Sequence, residues 1–176
     1  VLDAFDGAHG PGMIPLDLAG WACDFYGGNC HKWLCAPKGT GFLYAAPSVQ
    51  ERLHHVVVSW GYSREGSRID DDGRVRIQDR PFMWELEHWG TRDLAGLAAV
   101  GTAVDFQEAV GKDRVAARGS LLAGYLRSQM AEKGWAELIT PSVPSMSGSI
   151  SAFHLRGLGD LALSQCLYDR ARISVP

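Results

Sequence analysis

Three short apolar runs separated by glycine-rich turns occupy the first quarter of the chain: Val1–Phe5 before Asp6-Gly7, Asp24–Tyr26 before Gly27-Gly28, and Gly41–Ala45. Apolar runs this short, bounded by glycine and polar residues, read as strands rather than helices. Leu16–Trp21 and Pro47–Leu53 read as short helices between them, the second with proline in its first turn. His55–Ser59 reads as a further strand, and the polar stretch Gly27–Gly41 as a loop. Strands alternating with short helices predict an α/β architecture.

The periodicity changes at Asp93. Leu94, Leu97, Ala98, Val104 and Phe106 fall on or near one face of a helical segment ending about Gly111. A second helix is expected over Arg114–Lys133, with Leu122, Tyr125, Leu126 and Met130 on its apolar face and Gly134 as its cap. Strands at Leu138–Thr140 and Ser149–Leu155, a helix at Leu158–Arg170 and a strand at Arg172–Val175 complete the expectation. The Gly-, Asp- and Arg-rich residues 62–80 read as an exposed loop. The change of pattern divides the chain into an α/β part, residues 1–104, and an α+β part, residues 105–176.

Composition excludes several functions. With 46% hydrophobic residues the chain has enough apolar surface to bury a core. A net charge of −3 without a basic patch argues against nucleic acid as a partner. No apolar run approaches the roughly 20 residues that span a bilayer, so no membrane partner is expected. Cys23, Cys30, Cys35 and Cys166 form no CxxC pair, which favours free thiols in a reducing, cytoplasmic setting. Their spacing around His31 does not match a zinc knuckle, and no metal is expected. Both ends fall in strand-like sequence, so the chain reads as an internal piece of a longer protein.

The chemistry concentrates in Asp6-Gly7-Ala8-His9 and Gly28-Asn29-Cys30-His31-Lys32-Trp33-Leu34. Open α/β sheets bind ligands outside the carboxyl ends of their strands. Asp6 follows the first strand, and Lys32 follows the second after a short loop, so both are expected at one sheet edge. A carboxylate for a ring nitrogen and an amine for an aldehyde are what pyridoxal 5′-phosphate (PLP) requires. A lone lysine after histidine is ordinarily a solvated surface residue; Asp6, His9 and the apolar flank Trp33-Leu34 reverse that expectation. Pro37-Lys38-Gly39-Thr40-Gly41 lacks the order of a nucleotide phosphate loop and precedes a strand.

These segments, with Asp24-Phe25-Tyr26, the run His31 to Tyr44 and Trp89-Gly90-Thr91-Arg92-Asp93, resemble the class V aminotransferase family of fold-type I PLP enzymes, in particular its isopenicillin N epimerase-like group. The resemblance covers essentially the whole chain. It implies part of the PLP-binding large domain, a mixed sheet with flanking helices, in residues 1–104. Residues 105–176 would then begin a smaller α+β domain. By the same resemblance Lys32 forms the Schiff base with PLP and later moves the Cα proton. Asp6 keeps the ring nitrogen protonated, and His9 lies by the ring's 3-oxygen. Asn29 and His31 align with phosphate ligands, neither needing a formal charge to donate. Gly90-Thr91 reaches the phosphate of the neighbouring subunit, which implies a homodimer.

The partner so implied is a small-molecule amino-acid substrate. Epimerase or racemase chemistry ranks first, then cysteine desulfurase or C–S lyase, then aminotransferase. A non-catalytic relative kept for dimer packing is the reading from a different class. No cysteine is a convincing desulfurase thiol, and no second acid/base for epimerisation is identifiable. Arg92 is open to a substrate contact or to pairing with Asp93. Arg172 is expected in a strand ahead of the family's carboxylate-binding arginine. His54, His55, His88 and His154 read as structural.

Overall fold

The computed structural model describes residues 1–54, 56–57, 59, 86–87 and 89–175. Its N-terminal sheet has three strands, β1 (Ala4–Asp6), β2 (Phe25–Asn29) and β3 (Gly41–Ala45), in that spatial order. β1 and β2 run parallel, with Ala4 opposite Phe25 and Asp6 opposite Gly27. β2 and β3 run antiparallel, from Phe25 opposite Ala45 to Asn29 opposite Gly41. The sheet is therefore mixed, as expected of this α/β part.

Two strand expectations need correction. The first apolar run reads as a buried strand, yet all three residues of β1 are exposed, because among the described residues it is an edge of the sheet and pairs with β2 alone. β2 continues through Gly27-Gly28 to Asn29, where the sequence suggested a loop. The glycines belong there because the Phe42 ring lies over Gly28: a Cβ at Gly28 would sit 2.5 Å from the Phe42 Cε1 atom. Glycine in a strand often marks such a close approach.

Leu16–Trp21 makes one turn rather than a helix. Asp17 Oδ1 accepts from Gly20 N (2.9 Å) like an N-cap, but Ala22, with φ 52°, turns the backbone left-handed and stops it. Pro47–Arg52 is a 3₁₀ helix, close to its expected span. Of the strand expected at 55–59, residues 56, 57 and 59 are described and none of them is in a strand; the loop at 62–80 lies outside the described residues.

The helix expected from Asp93 is present as α1 (Leu94–Val110), and the Asp93 side chain caps it by accepting from Ala95 N at 2.9 Å. The expected division at residue 104 falls within this helix. Its inward face differs from the expected one. Ala103 and Gln107 are buried, whereas Leu94, Leu97, Val104 and Phe106 are exposed. The reason is close packing: the helix meets the loop after β2, where Cys30, Ala36 and Ala103 form a small-residue core flanked by Leu34 and Val100. Large side chains do not fit at that separation.

The second helix, α2 (Lys112–Ala131), shows the same inversion, with Ala123 buried and Leu122, Tyr125 and Leu126 exposed. Glu132 caps it rather than Gly134. β4 (Ala136–Leu138) and β5 (Phe153–Leu155) form an antiparallel pair, and α3 (Asp160–Ala171) follows. Arg172 is not in a strand: with φ 55° it is the left-handed C-cap of α3, its guanidinium 5.2 Å from the Tyr168 ring centroid.

One polar side chain ties α2 to the segment before β5. Arg127 donates to Ser147 Oγ (2.8 Å), Ser151 Oγ (2.9 Å), Gly148 O (2.6 Å) and Ile150 O (2.7 Å). Its five donors in a rigid fork suit that many acceptors. Arg127→Met keeps the stem but leaves two carbonyls and two hydroxyls without this partner. It should destabilise the protein by roughly 2–3 kcal/mol, seen as a lower urea midpoint and faster amide exchange over residues 147–152.

Candidate active site

Parallel pairing sends the carboxyl ends of β1 and β2 to one edge of the sheet, and the two connections that follow build the site there. After Asp6, Gly7 N continues the ladder by donating to Gly27 O (2.9 Å), and Gly10 N closes a tight turn on Gly7 O (2.8 Å). This turn folds over Tyr26, which is 4% exposed and donates its hydroxyl to Gly7 O at 3.1 Å. A Cβ at Gly7 or Gly10 would overlap the Tyr26 side chain.

The second connection, residues 30–40, is held by its own backbone. Cys30 N donates to Thr40 O and Ala36 N to Cys30 O, both at 3.0 Å. Gly12 joins the two connections. Its φ of +80° and its position against the Trp33 carbonyl and Leu34 N, where a Cβ would collide with backbone, both require glycine. Gln107 of α1, 5% exposed, secures the loop from the other side by donating its amide to Trp33 O at 2.9 Å.

Asp6, His9 and Lys32 consequently line one cavity of about 410 Å³, with Gly7, Gly10 and Tyr26 among its other walls. That volume lies within the range of small-molecule sites, roughly 300–1,000 Å³. Lys32 Nζ is 3.0 Å from His9 Nε2, and Trp33 Nε1 donates to His9 Nδ1 at 3.1 Å. One Asp6 oxygen accepts from Ala8 N at 3.1 Å, which orients the carboxylate. Burial pushes the Tyr26 phenol up from its ordinary range, with smaller contributions from Cys23 and Asp6.

The remaining expected residues are placed elsewhere. Asn29 ends β2, and neither it nor His31 lines this cavity. His31 Nδ1 lies 3.2 Å from Thr40 O, a carbonyl that only accepts. In a neutral His31 the ring nitrogen facing that carbonyl is the donor and Nε2 the acceptor. Thr91 is exposed in the turn before α1, next to Gly90 with φ 113°. Arg92 lies 5.7 Å from the Trp89 ring centroid, while Asp93 is occupied as the α1 cap.

His55 and His88 lie outside the described residues; His154, in β5, has Nδ1 3.8 Å from Asp160 Oδ1. Sequence reasoning took Trp33 for an apolar flank and did not single out Gln107. An indole N–H directly after the His31-Lys32 pair was the available signal for the first. Nothing local pointed to the second, which lies 74 residues away.

Residues 1–175 match the model of the family described as aminotransferase class-V. The chain belongs to the class V aminotransferase family. It is 42% identical to an isopenicillin N epimerase of Amycolatopsis lactamdurans, over 100% of this chain and 44% of that protein. It is 39% identical to an isopenicillin N epimerase of Streptomyces clavuligerus, over 96% of this chain and 42% of that protein. The chain thus spans less than half the length of these relatives. Among solved structures, its fold is similar to that of a C-DES variant with glycine covalently linked to its PLP cofactor. The TM-score is 0.77 at 20% identity, over 97% of this chain and 42% of the other. Among the described residues no helix is long and apolar enough to cross a membrane.

Cys30, beneath the lysine loop, is buried, and burial pushes its thiol up. For both Cys30 and Tyr26 the folded value lies above the unfolded one. Their contribution to stability is therefore complete below the ordinary thiol value, about pH 8.5, and is lost as the pH rises through the raised values. Melting temperatures measured from neutral pH upward should fall beyond that point, and Cys30→Ala should remove the earlier part of the fall. In the folded protein, iodoacetamide should label the exposed Cys35 well before Cys30.

Proposed function

We propose that this chain carries the PLP-holding face of an amino-acid epimerase or racemase, with Lys32 as the cofactor-linking lysine. The observation that supports this most is the convergence of a carboxylate, an imidazole and a primary amine, from Asp6, His9 and Lys32, on one cavity at the sheet edge. The donor set fits PLP. Asp6 faces the task of holding a proton on a ring nitrogen through a charge-assisted bond. His9 supplies a neutral donor for the 3-oxygen, and the Lys32 amine takes the aldehyde carbon. When bound, the cofactor supplies an electron sink for the pair left when an amino acid loses its Cα proton. Freed from the aldehyde carbon when the substrate's amine takes its place there, Lys32 is the base that moves the proton on one face of Cα.

Epimerisation ranks ahead of desulfuration and transamination because of the identity to two isopenicillin N epimerases. Desulfurase chemistry also needs a thiol over the cofactor, and none of the four cysteines is among the residues lining this cavity. On this reading residues 1–104 belong to the cofactor-binding domain and residues 105–176 to the smaller one, with α1 running across the join. Asn29 and His31 bind the phosphate, and the free thiols suit a cytoplasmic protein.

Thr91 and Gly90 act across a homodimer interface. Their turn precedes α1, where a hydroxyl beside a helix N-terminus suits a phosphate. Borohydride reduction of the PLP-loaded protein should fix the cofactor to the peptide containing Lys32. In Lys32→Ala the visible absorption should vanish; covalent capture at Lys38 instead would refute the assignment. Mixing Lys32→Ala with Thr91→Ala subunits should restore activity above either parent, since one site per heterodimer keeps both residues. Mixed dimers as inactive as their parents would show that Thr91 does not act in trans.

A further inference from the structure

We infer that Trp33 is a positioning residue that locks His9 in one tautomer and so aims a hydrogen-bond donor at the Lys32 nitrogen; this rests on the cofactor role given to Lys32 above. The indole N–H can only donate, and it lies 3.1 Å from His9 Nδ1. Nδ1 must therefore carry its lone pair, and a neutral imidazole then holds its proton on Nε2. That nitrogen is 3.0 Å from Lys32 Nζ. An Nε2–H donates to Lys32 only while Nζ has a lone pair, so the triad Trp33–His9–Lys32 is hydrogen-bonded throughout when the lysine is uncharged. An ammonium at Lys32 would face a donor with a donor.

Trp33 is itself held at its backbone. Its carbonyl accepts from Gln107 Nε2, and it abuts Gly12, which has no Cβ to push it away. The Gln107 bond is kept although it leaves the buried Gln107 Oε1 without a hydrogen-bond partner among the described residues. Such an orphaned acceptor ordinarily costs stability. Its retention is understandable if the position of Trp33, and through it the ring of His9, is what the contact secures. A phenylalanine at residue 33 would fill much of the same space without the N–H, so the role is separable from packing.

The test is ¹⁵N NMR of the cofactor-free protein labelled at histidine, together with the rate at which Lys32 captures PLP, read by borohydride trapping. In the wild type the His9 ring should carry its proton on Nε2 alone. In W33F the two tautomers should mix, and capture at Lys32 should slow about tenfold, the worth of one hydrogen bond. If W33F fails to fold, H9F reads the same bond from the other end: the Trp33 indole N–H should lose its protection from solvent exchange. A His9 proton found on Nδ1 in the wild type, an unchanged tautomer in folded W33F, or an unchanged Trp33 indole in H9F overturns the positioning role. Failure of wild-type Lys32 to capture PLP sinks the cofactor assignment instead, whatever His9 shows.

Discussion

The parallel pairing of β1 with β2 is the interaction on which the site depends. Its register, Asp6 opposite Gly27, brings the end of one strand level with the last residues of the other. Both following connections leave from the same edge, so a carboxylate from the first and a lysine from the second reach one cavity although 26 positions separate them. A slip of one residue would turn Phe5 and Asp6 to opposite faces. The sheet does not secure this register by deep burial, since β1 is exposed along its length. It is secured by Tyr26, whose ring fills the space beneath the Gly7–Gly10 turn and whose hydroxyl grips Gly7 O.

The lysine loop is made rigid by different means. Its backbone bonds, the small-residue contacts of Cys30, Ala36 and Ala103, and the Gln107 amide all act over short distances. Among the described residues, the Lys32 amine meets only His9 at hydrogen-bond distance.

The places of the first three strands, the capped start of α1 and the convergence of Asp6 and Lys32 on one sheet edge were legible because local signals carry them: short apolar runs, Asp93 ahead of a helical stretch, and chemical groups just past strand ends. The helix faces were not. Hydrophobic periodicity picked Leu94, Leu97 and Phe106 in α1 and Leu122 and Tyr125 in α2, whereas the contacts use alanines and Gln107. Close helix-to-loop packing selects small residues, and a pattern that rewards bulk cannot find them. The glycine-bearing half of β2 was misread for a related reason, since glycine marks a turn locally but here makes room for the Phe42 ring.

The amino-acid sequence by itself determined which chemical groups stand just past the strand ends, because an amine, a carboxylate and an imidazole are the same wherever they fold, and those places follow from local patterning. Only the tertiary structure decided how they are poised. The tautomer of His9 depends on an indole N–H brought to 3.1 Å, and the state of His31 depends on a carbonyl at 3.2 Å. The grip on Trp33 depends on a helix residue far along the chain. Hydrogen bonds have direction and short range, so donor and acceptor roles are assigned by positions in space that no local spacing specifies.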